Sequence, residues 1–289
     1  MKTILHPVFW ISVLFSLTAP SQQRSIHIQG SDTLILLGQK LNQLYQRKQP
    51  DVTVRVHGGG VQAAAPLLLR GEIDIAQSAG DSDTEGLKEA TAIPVGVEGI
   101  VIYVNAANPL NDLTIAQVRA IYLGEVLNWK QLGGPDQRIL LYGGESSSGI
   151  APYFQEFVLR GAEAFGYVGK SSTKEMLDLI SEHPYSIGFA GVGAAPSVKA
   201  LRIRATPGSP AVEPTIARIR SLQYPISRHV NWYLSHKPQG AVRAFCEWMF
   251  SSQGQLVVES VGLQPLAQEE RVAALRKLGV ANNQTASAE

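Results

Sequence analysis

The chain has 289 residues, 25 basic against 24 acidic side chains, a formal charge of +1 and one cysteine. Charge this balanced leaves no basic face for nucleic acid or anionic lipid, and a lone cysteine excludes an intrachain disulfide. A mature length of roughly 270 residues favours two domains.

At the N-terminus Lys2 precedes an apolar stretch from Val8 to Leu17 and then Thr18-Ala19-Pro20-Ser21, with small residues at 19 and 21. This order predicts a cleavable signal peptide over 1–21 and an exported, periplasmic destination. The stretch is far shorter than the roughly 20 residues that span a bilayer, and no later stretch reaches that length, so a protein not integral to the membrane is expected. No cysteine follows the leader to carry a lipid anchor.

Ile26-His27-Ile28-Gln29 alternates like a half-buried strand and runs into Gly30-Ser31-Asp32-Thr33, after which Leu34, Leu37, Leu41, Leu44 and Tyr45 recur at helical spacing. The first turn of a helix leaves backbone N–H groups without partners at the positive end of its dipole. Hydroxyls placed there favour a bound anion. Val52-Thr53-Val54-Arg55-Val56 is a second strand and leads to Gly58-Gly59-Gly60, where backbone can turn tightly or approach a ligand. Val61, Ala64, Ala65 and Leu68 form the next helix, and Gly71 stops it before Ile73-Asp74-Ile75-Ala76, a third short strand. The βαβαβ order predicts a parallel sheet with helices on its faces.

Gly99 to Asn105 reads as one long buried strand and Ala106-Ala107-Asn108-Pro109 as a linker to a second unit. Thr114 and Gln117 have capping-box spacing ahead of Ile115, Val118 and Ile121. Ile139-Leu140-Leu141-Tyr142 then runs through Gly143-Gly144-Glu145-Ser146-Ser147-Ser148-Gly149 into another helical pattern, a second strand-to-helix turn of anion-favouring chemistry. The two turns predict two walls of one anion site. Ser172 and Glu175 form another capping pair, Ser186 to Ala190 a strand, and Val230 to Leu234 an aromatic strand; helices follow from about Pro238 to Ser251 and from Gln253 to Val261. Cys246 falls on the apolar face of the first of these. The expected organisation is lobe 1 over 25–105 and 196–280, lobe 2 over 106–195, and a small polar, disordered tail over 281–289.

Taken in order, Gly30-Ser31-Asp32-Thr33, Gly58-Gly59-Gly60, Gly71-Glu72-Ile73-Asp74-Ile75-Ala76, Glu98 to Asn105, Asn128-Trp129-Lys130, Ser147-Ser148-Gly149 and Tyr224-Pro225-Ile226-Ser227-Arg228 carry a resemblance. The chain resembles the PstS-like phosphate-binding proteins of bacterial ABC transporters, which are type II periplasmic binding proteins. The resemblance implies an α/β fold of two lobes, each a mostly parallel sheet flanked by helices, with the ligand cleft between them. It also implies a monomer that binds inorganic phosphate or a similar oxyanion and serves an ABC permease, without cofactor, metal or catalytic residues. The ligand positions it carries over are Gly30, Ser31, Asp32 and Thr33, with Gly59, Gly60, Ser78, Glu145, Ser147, Ser148 and Gly149 as further candidates.

The chain departs from the family pattern where charge is expected. Ala79-Gly80 stands at a Ser-Arg or Ser-Asp position, Gly144 at an arginine and Ile150 at a threonine. A guanidinium binds phosphate through two parallel charge-assisted bonds, which glycine cannot supply. The departures motivate an alternative, a binding-fold protein that has lost phosphate and takes a sulfate- or molybdate-type anion, or acts as a sensor or scaffold. A hydrolase is disfavoured: Gly144-x-Ser146-x-Ser148 lacks the second glycine of a nucleophile elbow, and His27, His57, His183, His229 and His236 form no motif with it.

Overall fold

A computed structural model describes residues 24–80, 84–145 and 150–279. The signal peptide expected over 1–21 and the tail expected over 281–289 lie outside the described residues. Strand β1 (Arg24–Gly30) enters a 3₁₀ turn (Asp32–Leu34) and helix α1 (Ile35–Lys48), followed by β2 (Val52–His57), α2 (Val61–Leu69), β3 (Ile75–Ala79) and β4 (Thr91–Gly99). The chain then crosses to β5 (Val101–Asn105), β6 (Asp112–Thr114), α3 (Ile115–Tyr122), β7 (Leu140–Gly144) and α4 (Ile150–Tyr153), which continues as a π-helical turn (Phe154–Val158). It proceeds through β8 (Val168–Lys170), α5 (Thr173–Glu182), β9 (Ser186–Ala190), β10 (Val198–Ala200), β11 (Arg202–Arg204) and α6 (Ile216–Arg220). Strand β12 (Ser227–Leu234) returns to the first lobe, which α7 (Gly240–Met249), α8 (Ser252–Ser260) and α9 (Gln268–Lys277) complete.

The first sheet has the order β2-β1-β3-β12-β4 and the second β10-β5-β9-β7-β8. Each is mixed, not mostly parallel. In the first, β1 runs parallel to β2 and β3, but β12 runs antiparallel to β3 and β4. In the second, β7 is parallel to β8 and β9, but β5 is antiparallel to β9 and β10. The reversed strands are the ones next to the crossings, because a chain entering from the other lobe arrives pointing the opposite way.

Those crossings also move the lobe boundaries. The apolar run from Gly99 to Asn105 breaks at Ile100: Gly99 ends β4 in the first sheet and Val101 opens β5 in the second. Lobe 2 therefore begins at about 100, ahead of the boundary expected after 105, and Ala106 to Pro109 is a turn inside it. Asn105 fixes that turn, donating its side-chain amide to the carbonyls of Ile180 and Ser181, 2.9 Å each. The return lies at about 226 and not 195, since Ile219, Tyr224 and Ile226 are buried with the lobe 2 core.

Two large cores follow from the patterns. In lobe 1 Ile26, Ile28, Leu37, Leu41 and Tyr45 pack with Trp232, Phe245, Cys246 and Trp248. In lobe 2 Val101 to Val104 pack with Tyr122, Phe154 and Phe189, the last two rings stacked at 3.8 Å. No helix among the described residues is long and apolar enough to cross a membrane.

Candidate functional site

Gly30 is glycine for a steric reason: at φ +152° a Cβ there would overlap the Gln77 carbonyl oxygen on β3. This close approach lets the Ser31 N–H donate to that oxygen at 3.0 Å and fixes the turn into α1. The Ser31 and Thr33 hydroxyls then lie 3.0 Å apart. The Gly60 N–H donates to the Gly30 carbonyl at 3.0 Å, and the Gly59 N–H donates to Asp32 Oδ1 at 3.0 Å. Three backbone donors of the expected site thus tie its loops together. The hydroxyls and the first-turn N–H groups of Asp32 and Thr33, which have no intrahelical acceptor, are what the wall offers an anion.

Ser31, Asp32, Thr33, Gly60 and Ser78 line a cleft of about 310 Å³ whose opposite wall is Pro152 and Glu156 of lobe 2. Ser78 is buried, and its hydroxyl donates to the Gly80 carbonyl at 2.9 Å. Gly30 and Gly59 stand behind the lining and shape it. Glu145 lies exposed at the β7–β8 edge against Gly169, and its backbone N–H donates to the Lys170 carbonyl at 3.0 Å; it is not among the lining residues. Ser147, Ser148 and Gly149 lie outside the described residues. Gly144 and Ile150 border a neighbouring interlobe cavity of about 370 Å³ with Lys170, Ser172 and Thr173.

Sequence reading missed the charged centre beside the cleft. Arg228, 7% exposed, pairs in register with Glu98 across β12 and β4. Its Nε donates to Glu98 Oε2 at 2.9 Å, its Nη1 to Glu156 Oε2 at 2.9 Å, and its Cζ lies 3.7 Å from the Tyr153 ring centroid. Glu98 and Arg228 come from lobe 1, Tyr153 and Glu156 from lobe 2, so the arginine joins the lobes. One legible signal existed: Glu98 is the single charge in the otherwise apolar run from Ile93 to Val104. Burial pushes the Glu98 carboxyl up to about 7 despite the opposing pull of Arg228. Burial draws the Arg228 guanidinium down, but Glu98, Tyr153 and Glu156 together hold it above its ordinary value.

Two mixed-sheet lobes joined by crossing strands, with hydroxyls at a helix start facing the cleft between them, define the class of periplasmic binding proteins. The chain belongs to the PBP superfamily, whose domain profile matches residues 17–253. It is similar to the phosphate-binding protein PstS of Pseudomonas aeruginosa, 27% identical over 277 residues that cover 87% of this chain and 86% of that one. It is also similar to PstS of Bacillus subtilis, 25% identical over 238 residues, covering 80% and 77%. Among solved structures, a possible phosphate binding protein from Planctomyces limnophilus superposes with a TM-score of 0.79 at 23% identity, covering 88% of this chain and 97% of that one. An ABC-type phosphate transport receptor from Vibrio cholerae superposes with a TM-score of 0.66 at 26% identity, covering 84% and 100%.

Proposed function

We propose that this protein is an exported receptor that binds an inorganic oxyanion, phosphate foremost, between its lobes and delivers it to an ABC-type permease. It is a binding protein and not an enzyme. The observation that carries the reading is the cleft between the lobes, walled on one side by the Ser31 and Thr33 hydroxyls at a helix start and on the other by Glu156, whose carboxylate holds the Arg228 guanidinium of lobe 1 beside it. The relatives named for phosphate support the choice of ligand. So does Asp32 in the cleft lining: an ionised carboxylate accepts the proton that hydrogen phosphate still holds, whereas fully ionised sulfate has none to give and is repelled.

The test is calorimetric titration of the purified mature protein with phosphate, sulfate, molybdate and citrate. Phosphate is expected to bind most tightly, with a Kd well below about 1 mM, the point equivalent to roughly −4.1 kcal/mol. If no anion reaches that affinity, the receptor reading fails; if sulfate or molybdate leads, the ligand changes but the receptor stands.

A further inference from the structure

We infer that Arg228 supplies the positive charge of the anion cleft, taking the place of the cation that Ala79-Gly80 and Gly144 lack. The inference rests on the receptor reading and adds a ligand residue to it. Strand β12 lies beside β3, with Val230 opposite Ala79 and the Gly80 N–H donating to the His229 carbonyl at 2.9 Å. At Gly80, φ +94°, a Cβ would lie 3.4 Å from Arg228 Cδ and 3.7 Å from Nη1. The arginine therefore lies over the glycine that follows Ala79, itself part of the cleft lining. A guanidinium absent from the end of β3 in sequence is delivered to that end from the neighbouring strand.

Its setting is that of a prepared donor. Glu98 holds Nε and the Tyr153 ring covers Cζ, so the planar fork has a fixed direction. Nη2 is buried and has no hydrogen-bond partner among the described residues. An unpaired buried donor is costly, and a charged one more so, which favours a ligand that satisfies it. Nη1 is held by Glu156, whose side chain is 46% exposed and lines the cleft. Glu156 acts as an internal anion that shields the guanidinium in the unliganded protein. Arg228 is buried beside the cleft and does not itself line it; as Glu156 turns toward solvent, an entering oxyanion takes Nη1 and Nη2 together, giving the two-bond geometry suited to guanidinium and oxyanion.

Inorganic phosphate is titrated into four proteins: wild type, Glu156→Gln, the charge-neutral pair Glu98→Gln with Arg228→Gln, and all three changes together. The paired variant avoids leaving a lone buried charge, and circular dichroism and a melting curve establish that it folds. Loss of the guanidinium is expected to weaken phosphate by about thirtyfold or more. Glu156→Gln is expected to tighten phosphate severalfold in the wild-type background and to do nothing once Arg228 is gone. An equal effect of Glu156→Gln in both backgrounds would mean that Arg228 only braces the lobes. As a direct readout, the Arg228 guanidinium nitrogen resonances, identified by their loss in the paired variant, are expected to move when phosphate is added. If phosphate binds wild type and the folded paired variant equally, or those resonances stay still, the inference is overturned and the receptor reading survives. If wild type binds no anion, both fall.

Discussion

Gly30 shows how little freedom the cleft wall has at the level of single residues. Its backbone presses on β3, and the Ser31 turn hangs on that contact through the Gln77 carbonyl. Gly30→Ala is expected to lower stability by about 3 kcal/mol, through overlap and an unfavourable φ, and to weaken anion binding as the hydroxyls are displaced; denaturant melts and calorimetry on the same variant measure both. Glu98 gives a pH dependence with a definite sign. Its carboxyl rises from an ordinary 4.5 to about 7 on folding, so the folded state holds the proton more tightly than the unfolded one. The associated stability is complete below about 4.5 and is lost as pH rises through about 7. Wild type is therefore expected to lose of order 3 kcal/mol relative to Glu98→Gln across that window. A pH series of denaturant melts on the two proteins reads the difference, and a flat difference would mean that Arg228 keeps Glu98 ionised.

At the scale of elements, local chemistry and long-range pairing divided the work. The capping box on α3 was legible because it is made within four residues: the Thr114 hydroxyl accepts from the Gln117 N–H at 3.1 Å, and the Gln117 side chain accepts from the Thr114 N–H at 2.8 Å. Thr114→Ala is expected to cost about 1 kcal/mol, seen as a lower denaturation midpoint with an unchanged slope. The run from Gly99 to Asn105 was not legible, because an apolar segment buried in two successive sheets has the same composition as one buried in a single sheet. Strands β6, β8, β10 and β11 are three residues each, too short for a period to declare itself. The π-helical turn that carries Glu156 also lacks a sequence signature, since Phe154, Phe157 and Val158 fit an ordinary helix; such turns often occur at functional sites.

At the scale of the molecule, Arg228 joins the lobes by an ion pair from β12 to the π-helical turn and by its stacking on Tyr153. Phosphate held between the lobe 1 hydroxyls and the facing lobe 2 wall is expected to draw the lobes together once Glu156 has turned out of the cleft. Small-angle scattering with and without saturating phosphate should then show a smaller radius of gyration in the bound form, and unchanged dimensions would count against a closing clamp.

The sequence by itself determined the two α/β units, the capping box on α3, the buried Cys246 and the Gly30–Thr33 turn of the cleft wall, because each is encoded in residues adjacent or at helical or strand spacing. Only the tertiary structure decided which strands reverse, where the lobes part, and that an arginine lies over Gly80 from the neighbouring strand. Those facts depend on the pairing of β3, β4 and β12, whose partners stand more than a hundred residues apart in the chain. Spacing along a sequence carries no record of such distances.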